Sequence, residues 1–189
     1  MAFARSALSL VFLMLLSASG ALGITVVPGV CKPSTLSKDF KKMVQLRPNV
    51  FFHWKIVGAN LVGAIEAKAA SKVNTGWISL GFSKAGKMTG SDAIVGNAGG
   101  GVQAYLMSSI SKSAIKPSPN FKITAATVTA TAASTIVKFT RTAKGNVALN
   151  LAGKNILLWA TSKGGNSKVF NDHTPTNRGA VSINFGTCK

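Results

Sequence analysis

Met88 and His173 are a thioether and an imidazole, each in a polar stretch of the sequence, that could bind one metal ion together. Met88 stands in a polar, glycine-flanked stretch, residues 86–91, where a methionine has no apolar core to fill. His173 stands in a second polar stretch, residues 162–178. A thioether and a neutral imidazole are the axial pair that holds six-coordinate haem iron in electron-transfer proteins, and they leave no site open for oxygen or peroxide. The alternative for His173 is an ordinary solvated histidine.

The elements around these residues are predicted as short strands. Apolar and polar residues alternate in short stretches that Gly, Pro, Asn and Ser separate. The predicted strands are residues 51–57, 61–69, 77–82, 102–107, 121–131, 135–142, 146–151, 155–161 and 179–185. The other segments are a lead-in with one short helical turn at residues 24–48, and loops at residues 108–120 and 162–178. This pattern predicts an all-β fold, an antiparallel β-sandwich.

The two candidate ligands come together if the strands of residues 77–82 and 179–185 are antiparallel neighbours. The end of one strand then lies beside the start of the other, because antiparallel strands run in opposite directions. Met88 follows the first strand and His173 precedes the second. This arrangement would place both side chains at one end of the sandwich.

The first residues are predicted as a signal peptide, residues 1–23. Arg5 supplies the positive charge, residues 7–16 supply the apolar run, and small residues follow, so that cleavage after Gly20 or Gly23 fits. The apolar run is shorter than the roughly 20 residues that span a bilayer. We therefore expect residues 24–189 to form a single secreted domain, extracellular or in a cell wall, without a transmembrane segment or lipid anchor.

Two cysteines, Cys31 and Cys188, lie in the predicted mature region. In an oxidising compartment an even number of cysteines predicts a disulfide bond. A dithiol metal or redox site would instead need a CxxC spacing, which the sequence does not contain. We expect a bridge that closes almost the whole domain into one loop.

Basic residues far outnumber acidic ones, 22 against 4, which gives a formal net charge of +18. The lysines are scattered singly along the chain. A cationic surface favours anionic partners, here an acidic polysaccharide, a membrane surface or an acidic protein, and solubility alone is the plain alternative. Nucleic acid is not expected as a partner, because the sequence has no basic helix and no recognition motif of aromatic and basic residues.

Several familiar catalytic patterns are missing. The nucleophile elbow GxSxG of Ser/His/Asp hydrolases does not occur in the sequence. A paired-carboxylate glycosidase site would need Asp92 and Asp172 to converge, which nothing in their sequence context indicates. Residues 81–87, GFSKAGK, are close to a phosphate-binding loop, but Met88 stands where that loop needs a magnesium-binding hydroxyl.

Five short stretches carry a family resemblance. They are HW at residues 53–54, GWISLGFS at 76–83, GKMTGSDAIVG at 86–96, LLWA at 157–160 and NDHTPTNRGAVSINF at 171–185. In this order they resemble the DOMON domain over residues 51–185. The similarity is greatest to its secreted haem-binding members, such as the cytochrome domain of cellobiose dehydrogenase and plant auxin-responsive b-type cytochromes.

The resemblance implies an immunoglobulin-like β-sandwich with a b-type haem at one end. Its iron would be held by Met88, from the GxMxGSD turn, and by His173, which precedes the last strand. The haem b would be non-covalent, since the sequence has no CxxCH motif.

Further residues are candidates for contact with the haem. Trp77 and Phe82 are expected to line the pocket, and Lys87 and Arg178 to meet the haem propionates. His53 begins a predicted strand and is expected to be a core or edge side chain rather than a ligand.

The implied function is one-electron transfer with an unidentified redox partner or small reductant, without enzymatic turnover. Other DOMON domains bind sugars or other ligands, so the alternative is a haem-free extracellular module that binds carbohydrate or a small ligand. A cationic structural or antimicrobial protein is a third hypothesis, which depends on charge alone. Family members in plants often continue into a lipid-anchor signal or a membrane cytochrome, and neither is expected here.

Overall fold

Strands make up nearly all the regular structure of this chain. The computed structural model describes residues 25–68, 76–97, 99–111, 113, 115–162 and 175–188. The strands within them are β1 (Val26–Pro28), β2 (Cys31–Pro33), β3 (Lys42–Arg47), β4 (Val50–Val57), β5 (Asn60–Lys68), β6 (Trp77–Ser83), β7 (Ser91–Asn97), β8 (Gly101–Met107), β9 (Ile115–Pro117), β10 (Ile123–Ala130), β11 (Ser134–Thr142), β12 (Lys154–Thr161) and β13 (Arg178–Asn184). A 3-10 helical turn, Pro175–Asn177, precedes β13. Within these ranges no helix has the length and apolar character needed to cross a membrane.

The strands form two sheets that pack face to face. The first sheet has the order β1-β13-β12-β6-β7-β8-β9, and the second has the order β10-β11-β5-β4-β3-β2. Neighbouring strands are antiparallel, except that β1 runs parallel to β13. The predicted all-β sandwich is therefore confirmed.

Alternate side chains of the central strands fill the space between the sheets. In β6, Ile78, Leu80 and Phe82 belong to the buried core. The rings of Phe82 and Phe139, one from each sheet, meet edge to face with their centroids 6.5 Å apart. The residues that alternate with these core positions point to the other face of the first sheet, because successive side chains of a strand point in opposite directions.

Short edge strands lie in two segments that the sequence pattern predicts as irregular. Residues 24–48, predicted as a lead-in with a helical turn, hold β1, β2 and β3. Residues 108–120, predicted as a loop, hold β9. Pro28, Pro33 and Pro117 end three of these strands, and proline is tolerated there because an edge strand has backbone groups without a ladder partner. Three residues are also too few to show an alternation.

The predicted strand at residues 146–151 is wrong. Its backbone binds side chains instead of a neighbouring strand: the Val147 N–H donates to the Asp92 carboxylate at 3.0 Å, and the Asn150 N–H donates to the Asn155 side-chain oxygen at 2.9 Å. Such bonds compete with a strand ladder for the backbone groups. The apolar residues of the segment still pack into the core.

Cys31 and Cys188 form a disulfide bond, as predicted, with their Cα atoms 5.4 Å apart. The bond spans 157 residues of sequence. Cys31 begins β2 at the edge of the second sheet, and Cys188 follows β13 of the first sheet. The bond therefore joins the two sheets.

Replacing both cysteines, Cys31→Ala with Cys188→Ala, is expected to lower the free energy of unfolding by about 3–5 kcal/mol, because the unfolded chain gains the conformations that a closed loop denies it. Urea denaturation of the oxidised protein and the double variant measures the difference. Equal stabilities would show that the bridge contributes nothing to folding.

His53 is a buried side chain of β4, as predicted. Its Nε2 lies 3.3 Å from Glu66 Oε2, and its Nδ1 lies 3.0 Å from Ser34 Oγ. A carboxylate only accepts, so the neutral ring donates from Nε2 to Glu66 and accepts at Nδ1 from the Ser34 hydroxyl. Burial lowers the pKa of His53 below 6.5, the Glu66 carboxylate opposes this shift, and Lys68 adds to it.

The lowered pKa of His53 makes stability depend on pH. Unfolded histidine titrates near 6.5 and the folded side chain only at lower pH, so the unfolded state binds more protons in this window. We expect the contribution of His53 to be complete above pH 6.5 and to be lost on acidification, at up to about 1.4 kcal/mol per pH unit.

Urea midpoints of the wild-type protein and of a His53→Gln variant, measured from about pH 7.5 down to pH 5, test this dependence. The variant is expected to show the shallower slope. Parallel slopes in the two proteins would assign the pH dependence to other groups.

Candidate functional site

Met88 lies in the loop that joins β6 to β7. Ser83, the last residue of β6, donates its hydroxyl to the Lys87 carbonyl at 2.8 Å and accepts the N–H groups of Ala85 and Lys87. Ser91, the first residue of β7, donates its N–H to the Met88 carbonyl at 3.1 Å and its hydroxyl to the same oxygen. The backbone at Met88 is therefore fixed from both strands.

Two glycines give this loop its shape. Gly86 and Gly90 have φ angles of 73° and 78°, a left-handed region that favours glycine. A Cβ atom on Gly86 would also collide with the Val26 side chain of β1. The Gly90 N–H donates to the Met107 carbonyl at 2.7 Å, which ties the loop to β8. The glycines on either side of Met88 are thus required by backbone geometry.

Asp92, the next residue after Ser91, is fully buried. Its Oδ1 accepts the Asn146 side-chain N–H at 2.8 Å, and its Oδ2 accepts the Val147 N–H at 3.0 Å. Arg141 Nη2 lies 3.7 Å from the same Oδ2. Because Asp92 belongs to the first sheet and Arg141 to the second, this ion pair joins the sheets directly beside the loop.

The Arg141 guanidinium lies between two aromatic rings. It is 4.3 Å from the ring centroid of Phe82 and 4.4 Å from that of Phe121, and Nη2 donates to the Val147 carbonyl at 2.9 Å. Burial lowers the pKa of Arg141 to about 10, and the Asp92 carboxylate opposes this shift. The side chain therefore stays charged at neutral pH.

Met88 itself is half-buried and does not pack in the apolar core. Its thioether is a soft ligand of the kind that haem iron accepts. Among the described residues, no three His, Cys, Asp or Glu side chains come together in a group that could hold a metal ion. Met88 is therefore a candidate for one of the two protein ligands that a haem needs.

The outer face of the first sheet next to this loop carries both small and large side chains. Ser79 and Gly81 alternate with the core residues of β6, Ala93 lies opposite Gly81, and Ala160 lies opposite Ser79. Ala93 is only 4% exposed although it points away from the second sheet. Larger side chains lie on the same face, because Leu158 pairs with Gly81 and Tyr105 pairs with Ala93.

A cavity of about 390 Å³ opens at the same end of the sandwich. The end of β6, the segment 147–150 and the start of β12 line it. Lys84 and Lys154, both exposed, are among its lining residues. The cavity offers a small ligand a positively charged rim.

The expected contact between β6 and β13 is wrong. β12 lies between them and is antiparallel to both: Ile156 pairs with Ser83 of β6 and with Ser182 of β13. The two outer strands therefore run parallel to each other. Met88, which follows β6, and Arg178, which begins β13, lie at opposite ends of the first sheet.

Trp77 and Phe82 also lie at opposite ends of β6. Trp77 is buried at the end near Arg178, where its carbonyl accepts the Ser162 N–H at 2.9 Å. Phe82 is buried between the sheets at the Met88 end. The structure therefore does not bring the two rings together around Met88.

Lys87 is exposed next to Met88, and Arg178 is half-buried at the far end of the sheet. His173, Asp172 and the predicted signal peptide, residues 1–23, lie outside the described residues. The pairing of Met88 with His173 therefore stays a prediction.

Sequence reasoning missed the part that Arg141 plays. The signal was present: Thr135, Val137 and Phe139 alternate as inward-facing residues of β11, and Arg141 continues the same period. A buried arginine needs an acidic partner. The sequence offers only four acidic residues, and Asp92 is one of them.

Comparison with known proteins gives a family and a fold. The family model of the DOMON domain matches residues 46–186. Among solved structures, the cytochrome domain of Myriococcum thermophilum cellobiose dehydrogenase is similar, with a TM-score of 0.54 and 11% identity over 85% of this chain and 82% of that chain. At this identity the likeness concerns the fold alone. No match was found among curated proteins.

Breaking the buried ion pair is expected to be costly. Asp92→Asn should lower the free energy of unfolding by about 3–5 kcal/mol, because it leaves the Arg141 charge buried without compensation. Asp39→Asn is the matched control: Asp39 is exposed, so its loss should change stability by no more than about 0.5 kcal/mol. Urea denaturation of both variants gives the comparison. Similar small losses in the two would show that the pair is not needed for folding.

Proposed function

Because this chain belongs to the DOMON domain family, we propose that it is a secreted b-type cytochrome that transfers single electrons, with Met88 and His173 as the axial ligands of a non-covalent haem b. The observation that carries the proposal is the loop of residues 84–90. Hydrogen bonds fix the backbone of that loop at Met88, whereas the Met88 side chain is half-buried and is not part of the core.

The strand order sets a condition on the second ligand. Arg178 lies level with Ser79, and Ser83 is four residues further toward Met88, about 13 Å along the sheet. The five residues from His173 to Arg178 can span at most about 17 Å. The proposal therefore requires the chain that leads into β13 to run back along the sheet toward Met88.

The chain's own residues would determine how such a haem behaves. A bound haem supplies a reversible one-electron change at its iron. The Met88 thioether raises the reduction potential relative to a second imidazole or an open position. The hydrogen bonds from Ser83 and Ser91 fix the loop 84–90, and exposed Lys87 would pair with a propionate carboxylate.

The disulfide bond supports the secreted location in this proposal. Structural disulfides persist in oxidising compartments and are rare in the cytosol. With residues 1–23 as a signal peptide, the working protein is extracellular or lies in a cell wall. One-electron transfer of this kind needs no substrate turnover, so the proposed protein is an electron carrier rather than an enzyme.

The cavity beside Lys84 and Lys154 favours a second candidate function. A haem-free extracellular module could use this site of about 390 Å³ for a carbohydrate or another small anionic ligand. Colour separates the two functions: the cytochrome has an intense Soret band, whereas the module is colourless and does not take up added haemin.

Variants of the two proposed ligands test the cytochrome. Met88→Leu is expected to change the six-coordinate spectrum to a five-coordinate one and to lower the reduction potential, because the thioether is lost. His173→Ala is expected to give a five-coordinate or haem-free protein. Absorption spectra of the oxidised and reduced forms, with potentiometric titration, measure both changes.

Matched controls replace the same residue types elsewhere. Met43 accepts a hydrogen bond from Thr35 at its sulfur, and His53 is bound to Glu66, so Met43→Leu and His53→Gln should leave the haem spectrum unchanged. Unchanged spectra in Met88→Leu and His173→Ala, with haem still bound, would mean that other residues hold the iron.

A further inference from the structure

The acidic side chains of the described residues leave the surface almost without negative charge. Asp92 is fully buried against Arg141, and Glu66 is 8% exposed against His53. Asp39 is the exposed acidic side chain in this part of the chain. The lysines around it therefore create a positive potential that few local carboxylates reduce.

Six lysines of the described residues lie at one end of the sandwich, which we call the Met88 end. It comprises the loop 84–90, the segment 143–153, the start of β3, the end of β4 and the residues that follow β13. The strand pairings place these lysines there: Lys42, Lys55, Lys84, Lys87, Lys144 and Lys154. The Lys42 ammonium donates to the Gly186 carbonyl at 2.9 Å, and the Lys144 carbonyl accepts from Arg141, which confirms that both sheets contribute to this end.

Exposed aliphatic side chains accompany the lysines. Val57, 51% exposed, ends β4 at the Met88 end, and Ile110, 83% exposed, follows β8 on the same side. β8 ends at Met107, which pairs with Ser91 beside the ligand loop. An apolar contact surrounded by charge is typical of a protein interface.

At the opposite end of the sandwich, two of the described cations lie against aromatic rings. The Arg47 guanidinium there donates to Asn177 Oδ1 at 2.9 Å and lies 5.7 Å from the Trp159 ring centroid. Lys68 lies over the Phe51 ring at 5.1 Å. Both cations therefore lie against aromatic rings of the protein.

We propose that the Met88 end is the docking surface for an acidic face of a partner protein, the electron donor or acceptor. This inference rests on the proposed function, because it places the partner next to the iron ligand Met88. Lysine is a flexible, strongly hydrated point charge that pairs loosely with carboxylates, unlike the bidentate arginine. Such a surface gives fast, salt-sensitive association and a short-lived complex, which suits an electron carrier.

A protein fits this surface better than an acidic polysaccharide does. Sugar rings bind by stacking on exposed aromatic side chains, and the exposed large hydrophobic residues of the described chain are aliphatic. Val57 and Ile110 instead offer the small apolar contacts that a protein surface can cover.

Two triple variants with the same change of charge test the docking surface. Lys84→Gln/Lys144→Gln/Lys154→Gln removes three charges from the Met88 end. Lys32→Gln/Lys38→Gln/Lys68→Gln removes three exposed charges from the second sheet and the segment beside it. The probes are a synthetic glutamate-rich peptide, followed by NMR titration, and a reduced acidic ferredoxin that donates one electron to the ferric haem in stopped flow.

At low ionic strength the Met88-end variant is expected to bind the peptide about tenfold more weakly than wild type and to accept the electron about tenfold more slowly. The control variant is expected to lose no more than about threefold in either measurement. NMR shifts should concentrate in residues 84–87 and 143–154. Equal losses in both variants, or shifts spread evenly over the surface, would overturn the proposal. So would tighter binding of an oligogalacturonate than of the peptide at the same end.

The readouts keep the two proposals apart. The peptide titration needs no haem, so it reports on the docking surface even if the protein proves colourless. Conversely, a six-coordinate haem spectrum with no difference between the triple variants would leave the cytochrome intact and refute the docking surface.

Discussion

The buried pair of Asp92 and Arg141 is the interaction on which the candidate site depends. Removing two charges from water costs more than their attraction returns unless further groups bind them. Here the carboxylate accepts two N–H groups as well, and the guanidinium lies between the rings of Phe82 and Phe121. Because Asp92 is four residues after Met88, the packing of the two sheets sets the position of the loop 84–90.

This constraint explains why several residues of the sequence GKMTGSD are of the types they are. Gly86 and Gly90 satisfy the left-handed backbone, Ser91 binds the Met88 carbonyl, and Asp92 enters the core. The glycine backbone, the hydrogen bond of Ser91 and the buried carboxylate of Asp92 together fix the loop that carries Met88.

The sequence predicted features that depend on residues close together in the chain, and it missed features that depend on residues far apart in the chain. Alternation is local, so it predicted β5, β6 and β11 and showed which face of each strand is buried. An even cysteine count predicted the bridge between Cys31 and Cys188. Sheet order is not local: no periodicity indicates that β12 separates β6 from β13, and this separation placed Met88 and Arg178 at opposite ends. The failure at residues 146–151 arose because the Asp92 carboxylate competes for a backbone N–H.

The same buried acids explain where the charge of the protein appears. Asp92 and Glu66 serve interior partners, so they cannot balance the exterior lysines. Polar side chains reach solvent most easily at the ends of strands. At the Met88 end, the start of β12 and the loops around it bring lysines from both sheets together. The buried carboxylate of Asp92 fixes the loop that carries Met88. Because it is buried against Arg141, it does not neutralise the lysines on the surface around that loop. A redox centre at Met88 would lie where the field draws an acidic partner.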